Sequence, residues 1–256
     1  TQKAGTIVRK HNGFLIYAGG DDVLALLPLD NALAAAAALQ KDYRAAFDTH
    51  CIQKGHDVQS TLSGAIEFVH IRTPLTRVLQ DAHQLLDDVA KDEVGRNAIA
   101  VRVWKPSGLA LQWAMPWEKA LDENGQVRIS AVAQQFAAQG NHAEDAEAAD
   151  ASARFSNKFF FRMQSLLQRF AGADEKTLEA LLLVEYLHSW GRLDKRTGIG
   201  TEALQACLHQ LLEQCRQWQR PAAGEAAAAH KEHPINPDGA LLVRFLAQKG
   251  LDEERA

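Results

Sequence analysis

Short apolar runs alternate with helical patterns in the first part of the chain. Residues 14–17 and 23–27 are two apolar runs joined by a Gly/Asp cluster, a pattern that predicts a β-hairpin. Residues 62–69 predict a third strand. Residues 98–104 and 109–113 flank a Pro-Ser-Gly turn and predict a second hairpin.

Two helical patterns separate these strands. Asn31 predicts the N-cap of a helix that runs to about residue 47, with a run of alanines that favours helix. Pro74 predicts the start of another helix, which repeats apolar residues every three or four positions from Leu75 to Val89. Between them, residues 48–59 have no periodicity and predict a loop.

The resulting order, strand-strand-helix-strand-helix-strand-strand, predicts a ferredoxin-like domain over residues 1–117. Thr6-Ile7-Val8 has the composition of a strand, and the chain starts without methionine. We therefore expect a piece of a longer polypeptide, with the first strand and helix of this domain lying before Thr1.

Helical patterns dominate from residue 118 onward and predict an all-α domain over residues 118–256, so the fold class is α+β. The predicted helices cover residues 127–139, 153–170, 177–190, 201–218 and 240–248. The acidic, alanine-rich residues 140–151 and the Ala/His/Pro-rich residues 221–234 are expected to be connections.

Composition excludes several classes of protein. The chain is 46% hydrophobic and 23% charged, as globular proteins are, and it has no apolar run of about 18 residues that would predict a membrane span. A formal charge of −4 excludes nucleic-acid binding through net charge alone. Three scattered cysteines do not form a disulfide framework, which favours a reducing, cytoplasmic setting.

The clearest chemical signal is Gly19-Gly20-Asp21-Asp22, placed between the first two predicted strands. Two glycines allow a tight turn and a close approach of the backbone to phosphate. Two carboxylates supply the oxygen ligands that Mg²⁺ prefers. A turn that simply favours Gly and Asp is the structural alternative, but the order and placement of the four residues favour a functional site.

Other candidate sites are weaker. His50, Cys51 and His56 lack the paired spacing of a zinc site, so they are interpreted as loop residues. The aromatic residues near Phe160 are more typical of a core or a subunit interface than of a base-stacking platform. His230 and His233 lie in the Ala/His/Pro-rich residues 221–234 and are expected to be solvated.

The turn resembles that of the second palm domain in the polymerase-like large subunit of type III CRISPR effector complexes, especially the Cmr (III-B) branch. Residues 63–75, Ser-Gly-Ala-Ile-Glu-Phe-Val-His-Ile-Arg-Thr-Pro-Leu, are similar to the strand-to-helix segment of that family. Residues 95–98 and 105–108 are similar to its next strand pair. Arg72 departs from the pattern, where the family has lysine, and the glycine after Ser63 is displaced by one position.

The resemblance implies a palm that binds two ATP molecules with Mg²⁺ or Mn²⁺ and joins a 3′-hydroxyl to an α-phosphate, giving cyclic oligoadenylates while target RNA is bound. Asp21 and Asp22 are then the catalytic, metal-binding residues. The nucleotide-binding candidates are Gly19, Gly20, Ser63, His70, Arg72 and Lys105. Arg72 and Lys105 have the charge to hold phosphate oxygens, although each alone is more typical of a solvated surface. His70 is interpreted either as a nucleotide contact or as a residue that orients its loop.

The resemblance also implies partners: CRISPR RNA, target RNA and other effector subunits, with the small subunit at the helical domain. Two alternatives stay open. One is a non-catalytic palm that positions RNA and subunits, which two adjacent carboxylates argue against. The other is a different palm-type cyclase, such as a diguanylate cyclase, whose turn continues with Glu-Phe where this chain has Val23-Leu24.

Overall fold

The computed structural model describes residues 2–20, 22–54, 60–137, 157–170, 172–190, 201–220, 231–233 and 235–248. The chain divides into two compact units. The first unit comprises Thr1–Arg128 and Trp218–Lys231, and the second comprises Ile129–Gln217 and Glu232–Ala256. The boundary therefore differs from the predicted one after residue 117, and a short C-terminal segment returns to the first unit.

The first unit mixes helices and strands, in agreement with the α+β prediction. From the first hairpin onward, the element order is the predicted one. The bounds are α1 Gln2–Lys10, β1 Phe14–Gly19, β2 Asp22–Leu26, α2 Leu29–Lys54, β3 Gly64–Phe68, α3 Leu75–Gln84, β4 Ala98–Lys105, β5 Gly108–Pro116 and α4 Trp117–Ala120.

The strands of the first unit form two sheets. Strands β1 and β2 pair in an antiparallel hairpin. Strands β3, β4 and β5 form a three-stranded sheet in that order, in which β3 is parallel to β4 and β5 is antiparallel to it. The parallel pair follows from the helix that connects β3 to β4, because parallel neighbours need a crossover connection.

Helix α1 corrects the prediction of a strand at Thr6-Ile7-Val8. Ala4 and Val8 lie one helical turn apart and are both buried, and α1 lies against β1 and α2. The β-branched residues favour a strand locally, but burial of this helical stripe overrides their propensity. The helix expected before Thr1 is thus present within the chain, directly before the first hairpin.

Helix α2 corrects two further predictions. It begins at Leu29, directly after Pro28, so Asn31 lies inside the helix and is not its N-cap. The helix also continues through Lys54, where a loop was predicted from residue 48. His50 and Cys51 are therefore helical, whereas His56 lies outside the described residues.

A π-helical segment, Leu85–Glu93, continues α3 and packs on the three-stranded sheet. The backbone N–H of Val94 donates to the carbonyl of Val89, five residues earlier, at 2.9 Å. The buried residues therefore recur every four to five positions rather than at the predicted 3.6, and they pack on alanines of β4. This core cluster contains Leu85, Val89, Ala90, Val94, Ala98 and Ala100.

The second unit is mostly helical. Its helices are α5 Arg128–Ala137, α6 Asn157–Arg169, α7 Glu175–Trp190, α8 Thr201–Glu213 and α9 Asp238–Ala247. Two short strands, β6 Gln217–Gln219 and β7 Lys231–His233, lie where the chain passes between the units, so the prediction of purely helical structure after residue 118 is wrong. Helix α8 also ends before Trp218, which lies in β6.

Large aromatic residues form the core of the second unit. Phe159, Phe160 and Tyr186 are buried, and the ring of Phe159 lies edge-on to that of Tyr186. Phe161 is exposed, with the Arg244 guanidinium 4.8 Å from its ring centre. Most of these rings therefore stabilise the unit itself, as one of the two sequence interpretations predicted.

Two of the three cysteines, Cys207 and Cys215, pack as small apolar residues. Cys215 is fully buried, and this burial raises the pKa of its thiol to about 12. Cys207 is partly buried, and burial raises its pKa as well.

Among the described helices, none combines the length and the hydropathy that crossing a bilayer requires.

Candidate functional site

The glycine turn joins β1 to β2 through a two-residue loop. Gly19 pairs with Asp22 across the hairpin, which leaves Gly20 and Asp21 between them. Gly20 has a φ of 63°, in the left-handed region that two-residue hairpin turns use. A Cβ added at Gly20 would find no described atom within 4 Å, so the backbone is open on that side. Asp21 lies outside the described residues.

Gly19 is required for a different reason, which is space. A Cβ added at Gly19 would lie 2.6 Å from Cζ of Tyr17 and nearer still to the Tyr17 hydroxyl. Contacts this short do not occur between real side-chain atoms, so any larger residue would displace the tyrosine. The two glycines thus serve separate purposes: Gly20 supplies the backbone conformation, and Gly19 supplies room for Tyr17.

Asp22 is the first residue of β2 and is exposed. An exposed carboxylate beside open backbone fits Mg²⁺, because this ion is usually held by one or two carboxylates while it keeps several waters and binds phosphate oxygens. Asp22, the described member of the acidic pair, therefore has the carboxylate oxygens that the sequence predicted as metal ligands.

The other predicted nucleotide-binding residues lie at opposite ends of β3. Ser63 directly precedes this strand and is half-buried. His70 and Arg72 follow it, and because β3 and β4 are parallel, Lys105 at the end of β4 lies at the same edge of the sheet. Seven residues of extended chain separate Ser63 from His70 by roughly 20 Å. These residues therefore do not form one cluster.

His70 has a structural contact within its own loop. Its Nδ1 accepts a hydrogen bond from the backbone N–H of Arg72 at 3.2 Å, and both residues are exposed. This contact is consistent with a role for His70 in shaping the loop.

Comparison with known families identifies the first part of the chain. Residues 1–100 match the family model described as Cas10/Cmr2, second palm domain. This first part of the chain is therefore similar to the second palm domain of that family. The predicted resemblance to the large subunit of Cmr-type effectors is thereby confirmed for this region.

Two curated proteins are similar to the palm. The CRISPR system Cmr subunit Cmr2 of Pyrococcus furiosus is 39% identical over 111 residues, which cover 43% of this chain and 12% of that protein. The CRISPR system CMR subunit Cmr2 of Saccharolobus solfataricus is 30% identical over 115 residues, which cover 38% of this chain and 10% of that protein. The chain thus spans about a tenth of the length of the curated relatives it matches.

The glycine turn, Ser63, His70 and Arg72 lie within the residues matched to the palm family, whereas Lys105 lies beyond them. The roles assigned to Asp21, Asp22 and the nucleotide-binding residues remain predictions, since a family match does not test individual side chains.

The palm also contains a buried polar network that the sequence did not predict. Arg102 of β4 donates from Nη1 to Oδ1 of Asp81 on α3 at 2.8 Å and from Nε to Gln112 at 2.8 Å. The indole N–H of Trp104 donates to the other Asp81 oxygen at 2.7 Å. Glu67 of β3 lies directly beside Arg102 in the sheet, and no described donor bonds either of its buried carboxyl oxygens.

Glu67 is an unusual acid within this network. Burial away from water, followed by the hydrogen bond and the negative charge of Asp81, raises its pKa from 4.5 to about 8, although the Arg102 charge acts in the opposite direction. At neutral pH this raised pKa leaves Glu67 mostly protonated, so its carboxyl group has a proton to share with the nearby Asp81 carboxylate. Glu67 and Asp81 can lie side by side away from water because, with one proton bound, they carry a single negative charge. Arg102 balances that charge.

The network had a signal in the sequence. Glu67 and Arg102 each stand in the middle of an otherwise apolar strand, and charged residues are rarely buried unless they are paired. The parallel pairing of β3 with β4 could not be read from either strand alone, so the two residues could not be matched.

The second unit has one group of potential metal ligands among its described residues, Glu175, His209 and Glu213. Arg216 already binds both carboxylates, with its Nη2 at 2.9 Å from Glu175. His209 Nδ1 lies 2.6 Å from a carboxylate oxygen of Glu179. A guanidinium thus supplies the positive charge that a metal ion would bring, and the group is interpreted as an ion-pair network.

Proposed function

We propose that this palm polymerises ATP into cyclic oligoadenylates as part of a type III CRISPR effector of the Cmr kind. The observation that carries the proposal is the glycine turn: an open, left-handed Gly20 is followed by an exposed Asp22, within residues that match the Cas10/Cmr2 second palm. Open backbone and exposed carboxylate are together suited to a metal-bound triphosphate.

In this proposal, Asp21 and Asp22 hold Mg²⁺ or Mn²⁺ through their carboxylate oxygens. Bound metal would neutralise triphosphate charge and lower the pKa of an attacking hydroxyl. The 3′-oxygen of one ATP forms a bond to the α-phosphorus of a second ATP, pyrophosphate leaves, and the hydroxyl proton passes to solvent. The missing side chain at Gly20 allows the phosphates to approach the backbone.

Ser63 is the best candidate for contact with the base. Strands β2 and β3 are paired in different sheets but are joined by α2, and in the proposed ferredoxin-like palm the two strands that this helix joins run in the same direction. The start of β3 is then expected at the same end as the start of β2, which is the turn. On this argument Ser63 lies near the nucleotide, and its hydroxyl can donate or accept at the edge of adenine.

The same argument assigns a lesser role to His70 and Arg72, which follow β3, and to Lys105, which ends β4 at the same end of the sheet. The proposed partners are CRISPR RNA, target RNA and other effector subunits, in a cytoplasmic setting. The second unit is proposed to bind the small subunit through exposed apolar residues such as Phe161, Val184 and Leu187.

The test is synthesis by the effector complex containing this chain, incubated with labelled ATP, Mg²⁺ and target RNA. Cyclic oligoadenylates are expected from the wild type, and a complex carrying both Asp21→Asn and Asp22→Asn should lose at least about a hundred-fold in rate. A scaffold palm would give no product with either protein. Mostly guanylate products in equal ATP and GTP would instead favour a different cyclase.

A further inference from the structure

Strand β1 contains an irregularity that changes which way Tyr17 faces. Leu15 pairs with Ala25 and Tyr17 pairs with Leu24, so Ile16 is an extra residue with no partner of its own in β2. Such a β-bulge shifts every following side chain to the opposite face relative to the neighbouring strand. Without the extra residue, Tyr17 would lie opposite Val23.

The shifted register places Tyr17 on the side of Asp22. Residues directly opposite each other share a face, and so do alternate residues along one strand. Leu24 and Asp22 therefore share a face of the hairpin, together with their partners Tyr17 and Gly19. The bulge thus brings Tyr17 and the Asp22 carboxylate to one surface, although they come from different strands.

The tyrosine ring also extends toward the turn. Its hydroxyl occupies the space that a Gly19 side chain would fill. Directly opposite Cβ atoms in an antiparallel pair lie about 5 Å apart, so the hydroxyl lies within roughly 7 Å of Cβ of Asp22. Tyr17 is 55% exposed, which leaves it accessible to a ligand.

We propose that Tyr17 is a nucleotide-binding residue whose hydroxyl donates a hydrogen bond to a phosphate oxygen of the metal-bound nucleotide at Asp22. The inference rests on the proposed function. The distance between the Tyr17 hydroxyl and Asp22 allows both groups to bind the same nucleotide, Asp22 through a metal ion and Tyr17 through a hydrogen bond. A phenol donates well to an anionic oxygen, and hydrogen bonds to charged groups are the stronger ones.

This role also explains the first glycine of the turn. Gly19 is not among the described glycines with a positive φ, whereas Gly20 is, so Gly19 is not required for a left-handed backbone. Its need is for room, and the group that uses this room is the Tyr17 phenol. Gly19→Ala would therefore act on nucleotide binding by displacing Tyr17.

The experiment measures the dissociation constant for ATP in the presence of Mn²⁺, by calorimetry on the full chain. Tyr17→Phe keeps the ring and removes only the hydroxyl. Tyr43→Phe is the matched control, because the Tyr43 hydroxyl is hydrogen-bonded to Ser60 at 2.7 Å, in the same unit. Thermal unfolding of each variant shows whether the fold is intact.

We expect Tyr17→Phe to raise the dissociation constant about ten-fold without lowering the unfolding temperature, and Tyr43→Phe to leave the constant unchanged. Gly19→Ala should raise it at least as much, and adding Tyr17→Phe to Gly19→Ala should raise it no further. Binding by Tyr17→Phe equal to that of the wild type overturns the inference alone. A wild-type chain that binds no ATP with Mn²⁺ overturns the proposed function, and the inference with it.

Discussion

The palm presents carboxylates in two opposite environments. Asp22 stands exposed at a glycine turn, where water and ions reach it. Glu67 is buried beneath α3, and both of its oxygens are shielded from water. Asp81 beside it is 17% exposed and is bound by Arg102 and Trp104.

The difference lies in how each negative charge is balanced. In the buried network, the protein supplies the positive charge through Arg102 and removes one negative charge by protonating Glu67. At the turn, the exposed carboxylate remains accessible, so a metal ion can balance its charge. A carboxylate that the protein has already neutralised is structural, whereas one left to solvent can bind a ligand.

The largest effect is expected from breaking the buried network. Arg102→Ala would remove the partner of Asp81 while leaving its carboxylate buried beside Glu67. Loss of one member of a buried ion pair destabilises a protein by about 3–5 kcal/mol. Urea unfolding followed by circular dichroism should show a loss of this size.

Lys91→Ala provides the control for Arg102→Ala. Lys91 and Asp87 form an ion pair of similar length, 2.7 Å, but both side chains are considerably more exposed. An exposed pair contributes about 0–1 kcal/mol. Equal destabilisation by the two substitutions would mean that the buried network has no special structural role.

A smaller, pH-dependent effect is expected at Glu67. Its pKa is about 8 in the folded state and 4.5 in the reference state, so the folded chain binds the extra proton between these values. The stability that Glu67 contributes is therefore complete below pH 4.5 and decreases as the pH rises through 8. Glu67→Gln, which resembles the protonated acid, should remove this decrease.

Urea unfolding of the wild type and of Glu67→Gln at several pH values from 5 to 9 measures the difference between their free energies of unfolding. The wild type should lose stability relative to the variant as the pH rises. A difference that stays constant over this range would show that Glu67 is ionised throughout, contrary to the network described.

The smallest effect distinguishes the two ends of β3. Ser63→Ala should weaken ATP binding a few-fold, because one neutral hydrogen bond contributes about 0.5–1.5 kcal/mol. Lys105→Ala, at the far end of the sheet, should change it less. Binding affinities measured by calorimetry check this, and a larger effect at Lys105 would move the nucleotide to the other end of the sheet.

Sequence patterns predicted the local features of the palm well. Both hairpins follow from alternation and turn residues that lie close together in the chain, as in the pairing of Gly19 with Asp22. Helix α1 was missed because burial of Ala4 and Val8 decides it, which local β propensity does not reveal. The start of α2 had a signal in Pro28, since proline favours the first turn of a helix.

Features that depend on distant contacts could not be predicted. The bulge at Ile16 exists only as a mismatch between two strands, so the position of Tyr17 over Gly19 required the register. The protonated state of Glu67 likewise depends on Asp81 and Arg102, which come from a helix and another strand. In both cases the sequence shows the residues, but it does not show which of them lie next to each other in the fold.

The most direct test of the central claim compares the two carboxylates in one titration. ATP binding in the presence of Mn²⁺ is measured for the wild type, Asp22→Asn and Glu67→Gln at pH 7. The account predicts that Asp22→Asn weakens binding by about a hundred-fold, while Glu67→Gln binds as the wild type does. Equal binding by Asp22→Asn and the wild type would contradict it.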